Sequence, residues 1–216
     1  MKTIPDPLCA IVDVDAAAAA GWPPLDLAQA FLDGGARFLQ LRAKSMASGP
    51  MLDTAVAIVD RGRSCAATLI INDRADVARL AGAAGVHVGQ DDLAPAAVRA
   101  LVGPTAIVGL STHTLDQLER AVAESITYVA IGPVFGTTTK ATGYDRVGLD
   151  MVRHAATYAT ARGLPLVAIG GITLESATSV IDAGAASVAV ISDLLAGGNP
   201  ERRTREFLHA LERRAG

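Results

Sequence analysis

The chain has 216 residues, half of them hydrophobic, and 19 Lys plus Arg against 22 Asp plus Glu leave a net charge of −3 at pH 7. That length suits one domain with a full core, and an apolar content of 50% excludes a disordered chain. With a pI of about 5.8 and no basic run longer than two residues, the sequence offers no cationic face for sequence-independent nucleic-acid binding.

Lysine is scarce, since only Lys2, Lys44 and Lys140 occur beside sixteen arginines, and Asn72 and Asn199 are the only asparagines. A motif that uses Lys44, Lys140 and Asn72 draws on residues that this chain otherwise avoids. At the start, prolines at positions 5 and 7 interrupt what a secretory signal would need, an apolar stretch of about 7–15 residues. No segment reaches the roughly 18 uninterrupted apolar residues of a membrane helix. Cys9 and Cys65 form neither a disulfide framework nor a metal-ligand spacing, and read as small buried hydrophobes in a reducing compartment. A cytoplasmic protein is expected.

Short apolar runs recur at 8–12, 38–41, 68–71, 86–88, 106–110, 128–131, 164–169 and 187–191. Between them lie amphipathic segments with helical spacing, such as Leu52, Ala55, Val56 and Val59, and several end in glycine, as at Gly34-Gly35 and Ala183-Gly184. Near-continuous apolar strands alternating with helices predict a parallel sheet covered on both faces. Eight such units without a composition break, and no glycine fingerprint after the first strand, predict a single (β/α)8 TIM barrel over 1–216. Residues 200–214, with Phe207, Leu208 and Leu211 on one face, are expected to form the closing helix.

In that fold the functional site lies at the carboxyl ends of the strands. After the second strand, Gln40, Arg42 and Lys44 are spaced by two, which on extended backbone sends all three to one face, where Arg and Lys grip phosphate oxygens. Asn72-Asp73 follows the third strand and Asp91-Asp92 the fourth. Asp73 and Asp92 suit Mg²⁺, which takes one or two carboxylates and is completed by substrate phosphates, whereas Asp91 reads as a helix N-cap. His87 reads as a hydrogen-bonded core residue, His113 as a cap-region residue, and His154 and His209 as structural residues on helices. Ser111 ends the fifth strand and can offer a hydroxyl to the same anion.

The long connection after the sixth strand, Gly132 to Tyr144, carries Thr137, Thr138, Thr139 and Lys140 and reads as a substrate loop. Gly170-Gly171 after strand seven and Ile191-Ser192 after strand eight mark the place where this fold builds a phosphate site from backbone N–H groups. Two phosphorylated substrates in one mouth are therefore expected. Arg42, Lys44, Lys140 and one Mg²⁺, less Asp73 and Asp92, leave about three positive charges, enough to neutralise a diphosphate of about −3. At roughly 4 kcal/mol per close pair for an effective dielectric near 20, such a balance can stabilise a departing pyrophosphate.

The segments Q-L-R-A-K, I-N-D-R-A-D-V-A, G-V-H-V-G-Q-D-D-L, G-L-S-T-H-T, G-P-V-F-G-T-T-T-K and A-I-G-G-I-T, in this order, resemble those of the thiamine phosphate synthase family over roughly Leu8 to Leu195. The resemblance implies a (β/α)8 barrel that joins hydroxymethylpyrimidine diphosphate to thiazole phosphate, releasing pyrophosphate by a dissociative route with no protein nucleophile. It assigns Gln40, Leu41, Arg42, Ala43, Lys44, Asn72, Ser111 and Lys140 to the pyrimidine diphosphate, with Arg42, Lys44, Ser111 and Lys140 as the catalytic set. It makes Asp73 and Asp92 the Mg²⁺ ligands, and gives Thr137, Thr138, Thr139, Gly171, Ile191 and Ser192 to the thiazole phosphate. Cys9 stands where members of the family commonly have an aromatic residue. The partners expected are phosphorylated small molecules, with no nucleic acid or membrane, and a homo-oligomer is left open. Two other readings compete: a thiazole tautomerase of the same fold, which His113 would serve as a proton shuttle, and a non-catalytic phosphate-binding barrel.

Overall fold

The structure, a computed structural model, describes residues 4, 6–136 and 143–212. Thr137, Thr138, Thr139 and Lys140 lie outside the described residues.

Eight parallel strands close into a barrel in chain order, β8 pairing back onto β1. They are β1 (Leu8–Asp13), β2 (Phe38–Arg42), β3 (Thr68–Asn72), β4 (Gly85–Val88), β5 (Ile107–Thr112), β6 (Tyr128–Ile131), β7 (Leu166–Ile169) and β8 (Ser187–Val190). The first crossover carries α1 (Val14–Ala19) and α2 (Pro24–Asp33); the next four carry α3 (Ser48–Arg63), α4 (Ala75–Leu80), α5 (Pro95–Val102) and α6 (Leu115–Ala121). α7 (Gly148–Thr160) follows β6 and α8 (Leu174–Asp182) follows β7. A 3₁₀ segment (Ser192–Gly198) and α9 (Pro200–Glu212) end the described chain, and among the described residues no helix is long and apolar enough to cross a membrane.

All eight predicted strands are present. The apolar pattern stops short at the carboxyl ends of four of them, because β1, β2, β3 and β5 run on into Asp13, Arg42, Asn72 and Ser111-Thr112. The strand conformation thus continues into the polar residues of the mouth. In α3 the buried face is Met51, Ala55 and Ile58, while Val56, expected on it, is 38% exposed. The closing helix buries Phe207, Leu208 and Leu211 as its spacing predicts.

Alternation along each strand divides the apolar residues into two sets. An outer set lies between strands and helices; an inner one, including Cys9, Ile11, Phe38, Ile70, Ile107 and Tyr128, fills the barrel. Cys9 is buried in the inner set and burial pushes its thiol pKa up, so it is an inert hydrophobe as expected. Cys65 is only half-buried, a departure from the sequence reading. Tyr128 meets Phe38 edge-on at 6.3 Å between ring centroids. Its ring lies over Gly109, paired with it across β5 and β6, where an added Cβ would fall 2.1 Å from Tyr128 Cζ. Gly109 is therefore the hole into which the largest inner side chain fits.

Gly109→Ala should cost about 1–3 kcal/mol through overpacking. At this chain length that lowers Tm by roughly 3–10 °C, measurable by thermal denaturation; an unchanged Tm would show that the barrel interior is looser than described.

Candidate active site

The charged side of the mouth is built by the ends of β1 to β3. Asp13 and Arg42 are register partners at the ends of β1 and β2, and their side chains form an ion pair through Arg42 Nη1 and Asp13 Oδ2. Asp13 is buried, and its other oxygen accepts from the N–H of Ala16 at 2.9 Å, capping α1. Arg42 Nε is buried without a hydrogen-bond partner. One turn on, Ser45 Oγ donates to Asp15, a second tie between the β1 and β2 loops.

Gln40 and Arg42 face the barrel interior as the spacing of two predicts, but β2 ends at Arg42. Lys44 lies in the turn beyond and reaches the mouth by another route, with Nζ 3.1 Å from Asp73 Oδ2. Leu41 and Ala43 pack in the outer core, so they can offer the mouth only backbone groups.

Asp73 has φ of +65°, the N–H of Arg74 donates to the carbonyl of Asn72 at 2.8 Å, and its own N–H donates to the carbonyl of His87 at 2.8 Å. This is a γ-turn centred on a non-glycine residue, a strained geometry of the kind found where a side chain is aimed at a ligand. Burial pushes the Asp73 carboxyl above the usual carboxylate range; Lys44 opposes the shift and the neighbouring Asp92 carboxyl adds to it. Asp92 is exposed and accepts the Gly89 N–H at 2.7 Å. Neither Asp73 nor Asp91 is a helix cap: α4 begins after Arg74, and α5 after Ala94, three residues beyond Asp91. The N-cap reading of Asp91 is corrected accordingly, because Pro95 starts that helix and the preceding residues form an exposed turn.

Beneath the mouth a hydrogen-bonded column runs up the barrel axis. Tyr128 Oη lies 2.7 Å from His87 Nδ1, and His87 Nε2 lies 2.7 Å from Ser111 Oγ, all three residues being buried. His87 is thus the hydrogen-bonded core residue expected, and Ser111 lies within β5 rather than capping a helix; Thr114 caps α6. Burial raises the Tyr128 phenol pKa further above its ordinary value, which keeps it protonated and fit to donate. His113 is more than a cap-region residue. Its ring stacks on Tyr144 at 4.0 Å between centroids, and Gln117 braces both, accepting from the His113 N–H at 2.7 Å and donating to Tyr144 Oη at 3.1 Å. His154 and His209 are exposed on α7 and α9.

The opposite side of the mouth is backbone. Gly170 and Gly171 have φ of +103° and +63°, and added Cβ atoms would fall 2.5 Å from Pro133 Cβ and 2.4 Å from the carbonyl O of Gly136. The chain after β6 lies directly on them, with the Phe135 N–H bonded to the Gly170 carbonyl at 2.9 Å. The start of α8 is closed, because Asp193 accepts the Leu174 N–H at 3.0 Å and is itself held by Arg203 at 2.7 Å. The backbone of Gly170 to Ile172 and the start of the 3₁₀ segment at Ser192 line this side.

A space of about 210 Å³ is lined by Lys44, Asn72, Asp73, Gln90, Asp92 and Tyr144 among others, and one of about 50 Å³ by Gly170, Gly171, Ile191 and Ser192 among others. Ser111 and His113 line both. A void of about 30 Å³, room for one water, descends past Arg42 to Cys9 and Tyr128. Cys9 therefore lies in the wall below the mouth rather than at its rim. A larger concavity of about 390 Å³ lies at the far end of the barrel, among the loops that feed β3 to β5, where this fold carries stability rather than chemistry.

Sequence reasoning missed Asp13, Asp193, Gln90 and the joining of His87 to Tyr128. An Asp directly after an apolar strand is the signal that could have found Asp13. With Asp13 counted, the sum expected from Arg42, Lys44, Lys140 and one Mg²⁺ against Asp73 and Asp92 falls from about +3 to about +2.

Because Asp73's pKa is raised in the folded chain, its ionisation opposes folding: stability falls as pH rises from the unfolded carboxylate value through the folded one. Asp73→Asn, which tolerates the same positive φ, should raise the Tm of the ligand-free protein at pH 7.5, and the gain should shrink towards pH 4. A variant less stable than its parent at pH 7.5 would contradict this.

The family model described as thiamine monophosphate synthase matches residues 8–194. The chain is 48% identical to the thiamine-phosphate synthase of Koribacter versatilis over 85% of this chain and 84% of that one. It is 41% identical to that of Chlorobium luteolum, over 93% and 91%. Among solved structures, the thiamine phosphate pyrophosphorylase from Pyrococcus furiosus superposes with a TM-score of 0.87 at 27% identity, covering 97% of this chain and 96% of that one. The chain belongs to the thiamine monophosphate synthase family.

Proposed function

We propose that the chain, acting as one catalytic domain over 1–216, is a thiamine-phosphate synthase that joins hydroxymethylpyrimidine diphosphate to thiazole phosphate. The products are thiamine phosphate and pyrophosphate. The observation that carries this reading is the pair of unlike anion cradles in one mouth, one of side-chain charges and one of glycine backbone, with Ser111 and His113 facing both. The names of the relatives favour this reading over a thiazole tautomerase or a non-catalytic barrel.

Arg42 and Lys44 bind the diphosphate, joined in the family pattern by Lys140, while Gln40 and Asn72 take up the polar edge of the pyrimidine. With Tyr128 donating to His87 Nδ1 and His87 Nε2 donating to Ser111 Oγ, the serine hydroxyl proton is left to point into the mouth and meet a phosphate oxygen. Asp73 and Asp92 suit Mg²⁺ because the two carboxylates are neighbours, one of them desolvated, and among the described residues Lys44 pairs with Asp73 alone. When bound there, Mg²⁺ supplies positive charge to the diphosphate oxygens. Gly171, Ile191 and Ser192, with Thr137, Thr138 and Thr139 in the family pattern, hold the thiazole phosphate.

The bond from the pyrimidine methylene carbon to the diphosphate oxygen breaks with its electron pair leaving on pyrophosphate. The aminopyrimidine ring delocalises the resulting cation, and the thiazole nitrogen lone pair closes the new C–N bond. The chain's part is positioning and stabilisation of the leaving group, so no side chain is required as a nucleophile.

Purified protein with both substrates and Mg²⁺ should release pyrophosphate, and chelation should suppress the release; binding of both substrates without metal-dependent release would overturn the reading. Asp92→Asn should lose most turnover, by about 10–100-fold, while thiazole phosphate affinity stays within threefold. Equal loss of both would overturn the division into two sites.

A further inference from the structure

We infer that Asp13, at the end of β1, is a positioning residue for this reaction: it fixes the Arg42 guanidinium against the leaving diphosphate. This rests on the reading of the charged side of the mouth as the pyrimidine diphosphate site. The family pattern assigns Arg42 and gives no part to Asp13.

Asp13 is 2% exposed, an unusual place for a carboxylate unless both oxygens are engaged. Both are. Oδ1 accepts the Ala16 N–H at 2.9 Å and Oδ2 holds Arg42 Nη1, so one carboxylate is clamped between a helix start and a guanidinium. The barrel register makes the two residues direct neighbours across β1 and β2. The Ser45–Asp15 bond repeats the tie one turn further out, so the loop bearing Lys44 is held to α1 on both sides of that lysine.

The pair leaves Arg42 incompletely satisfied. Its Nε is buried without a partner, an arrangement that costs stability and that a substrate acceptor would relieve. A guanidinium fixed by one nitrogen on a buried acid is oriented before the ligand arrives, and that reduces the entropy lost on binding. Asp13 also brings a negative charge towards an anion. Its cost falls on ground-state binding, whereas its benefit falls on the geometry in which charge develops on the leaving oxygen.

These opposed effects give the test. Asp13→Asn keeps a side-chain oxygen for the α1 cap, as does Asp13→Ser, but neither offers Arg42 a carboxylate. In steady-state assays of the full-length protein with Mg²⁺, both variants should lose about 10–100-fold in kcat. The KM for pyrimidine diphosphate and the inhibition constant of inorganic pyrophosphate should stay within threefold or tighten, and thiazole phosphate KM should not change. A merely structural role would weaken every ligand together and lower Tm. Unchanged kcat in both variants, or pyrophosphate inhibition weakened in step with kcat, would overturn the inference while leaving the synthase reading intact. Absence of pyrophosphate release by the unsubstituted protein would overturn both.

Discussion

In a closed parallel barrel every second residue points inward, and the last inward residue of each strand has no layer above it. Whatever stands there is half in the core and half in the mouth. In this chain those positions carry Asp13, Arg42, Asn72, His87 and Ser111, all buried or nearly so. Charges and polar groups at such depth persist only when paired. Asp13 is matched to Arg42, Lys44 to Asp73, and Ser111 to His87 and Tyr128 below it. The site is thus the upper boundary of the core, and its geometry is set by the register that closes the barrel.

The two sides of the mouth meet anions in different ways. Between β1 and β4, the described residues Asp13, Arg42, Lys44, Asp73 and Asp92 sum to −1, so on the proposed reading the positive excess that meets a diphosphate comes with Lys140 and Mg²⁺. Between β6 and β8, the glycine backbone lies against the chain after β6 so closely that a single Cβ at position 170 or 171 would collide with it. There the glycine backbone of 170 and 171 lines the space beside Ser111, His113 and Ser192. Asp193 closes the first N–H of α8 and so narrows the helix-terminus contribution expected of this fold. On the proposed reading, the charged side takes the diphosphate that must leave and the glycine-lined side the monophosphate that must stay.

Much of this is legible in the residues. Apolar runs locate all eight strands, and the spacing of two in Gln40 and Arg42 places both inside the barrel. The same rule fails for Lys44, because alternation ends with the strand and a turn carries the lysine instead to Asp73. The apolar pattern stops short of Asp13, Arg42, Asn72 and Ser111 for one physical reason: it ends where the strands continue into polar residues of the mouth. The pairings of Asp13 and Asp193 carry no local signal because their partners, Arg42 at 29 residues' distance and Leu174 at 19, are brought near by the pairing of β1 with β2 and of β7 with β8. The Tyr128, His87 and Ser111 column is likewise assembled from three strands, and no local spacing announces it. The scarce residues were the better guide, since Lys44 and Asn72 both lie at the charged side of the mouth.

On the proposed reading, one mouth holds two phosphorylated ligands side by side, on separate cradles. That reading is tested most directly by calorimetric titration of thiazole phosphate into the protein, first alone and then with saturating inorganic pyrophosphate and Mg²⁺. The account predicts one thiazole phosphate bound per chain in both titrations, with the affinity retained or improved when pyrophosphate occupies the charged side. Loss of thiazole phosphate binding in the presence of pyrophosphate would show a single shared cradle and contradict it.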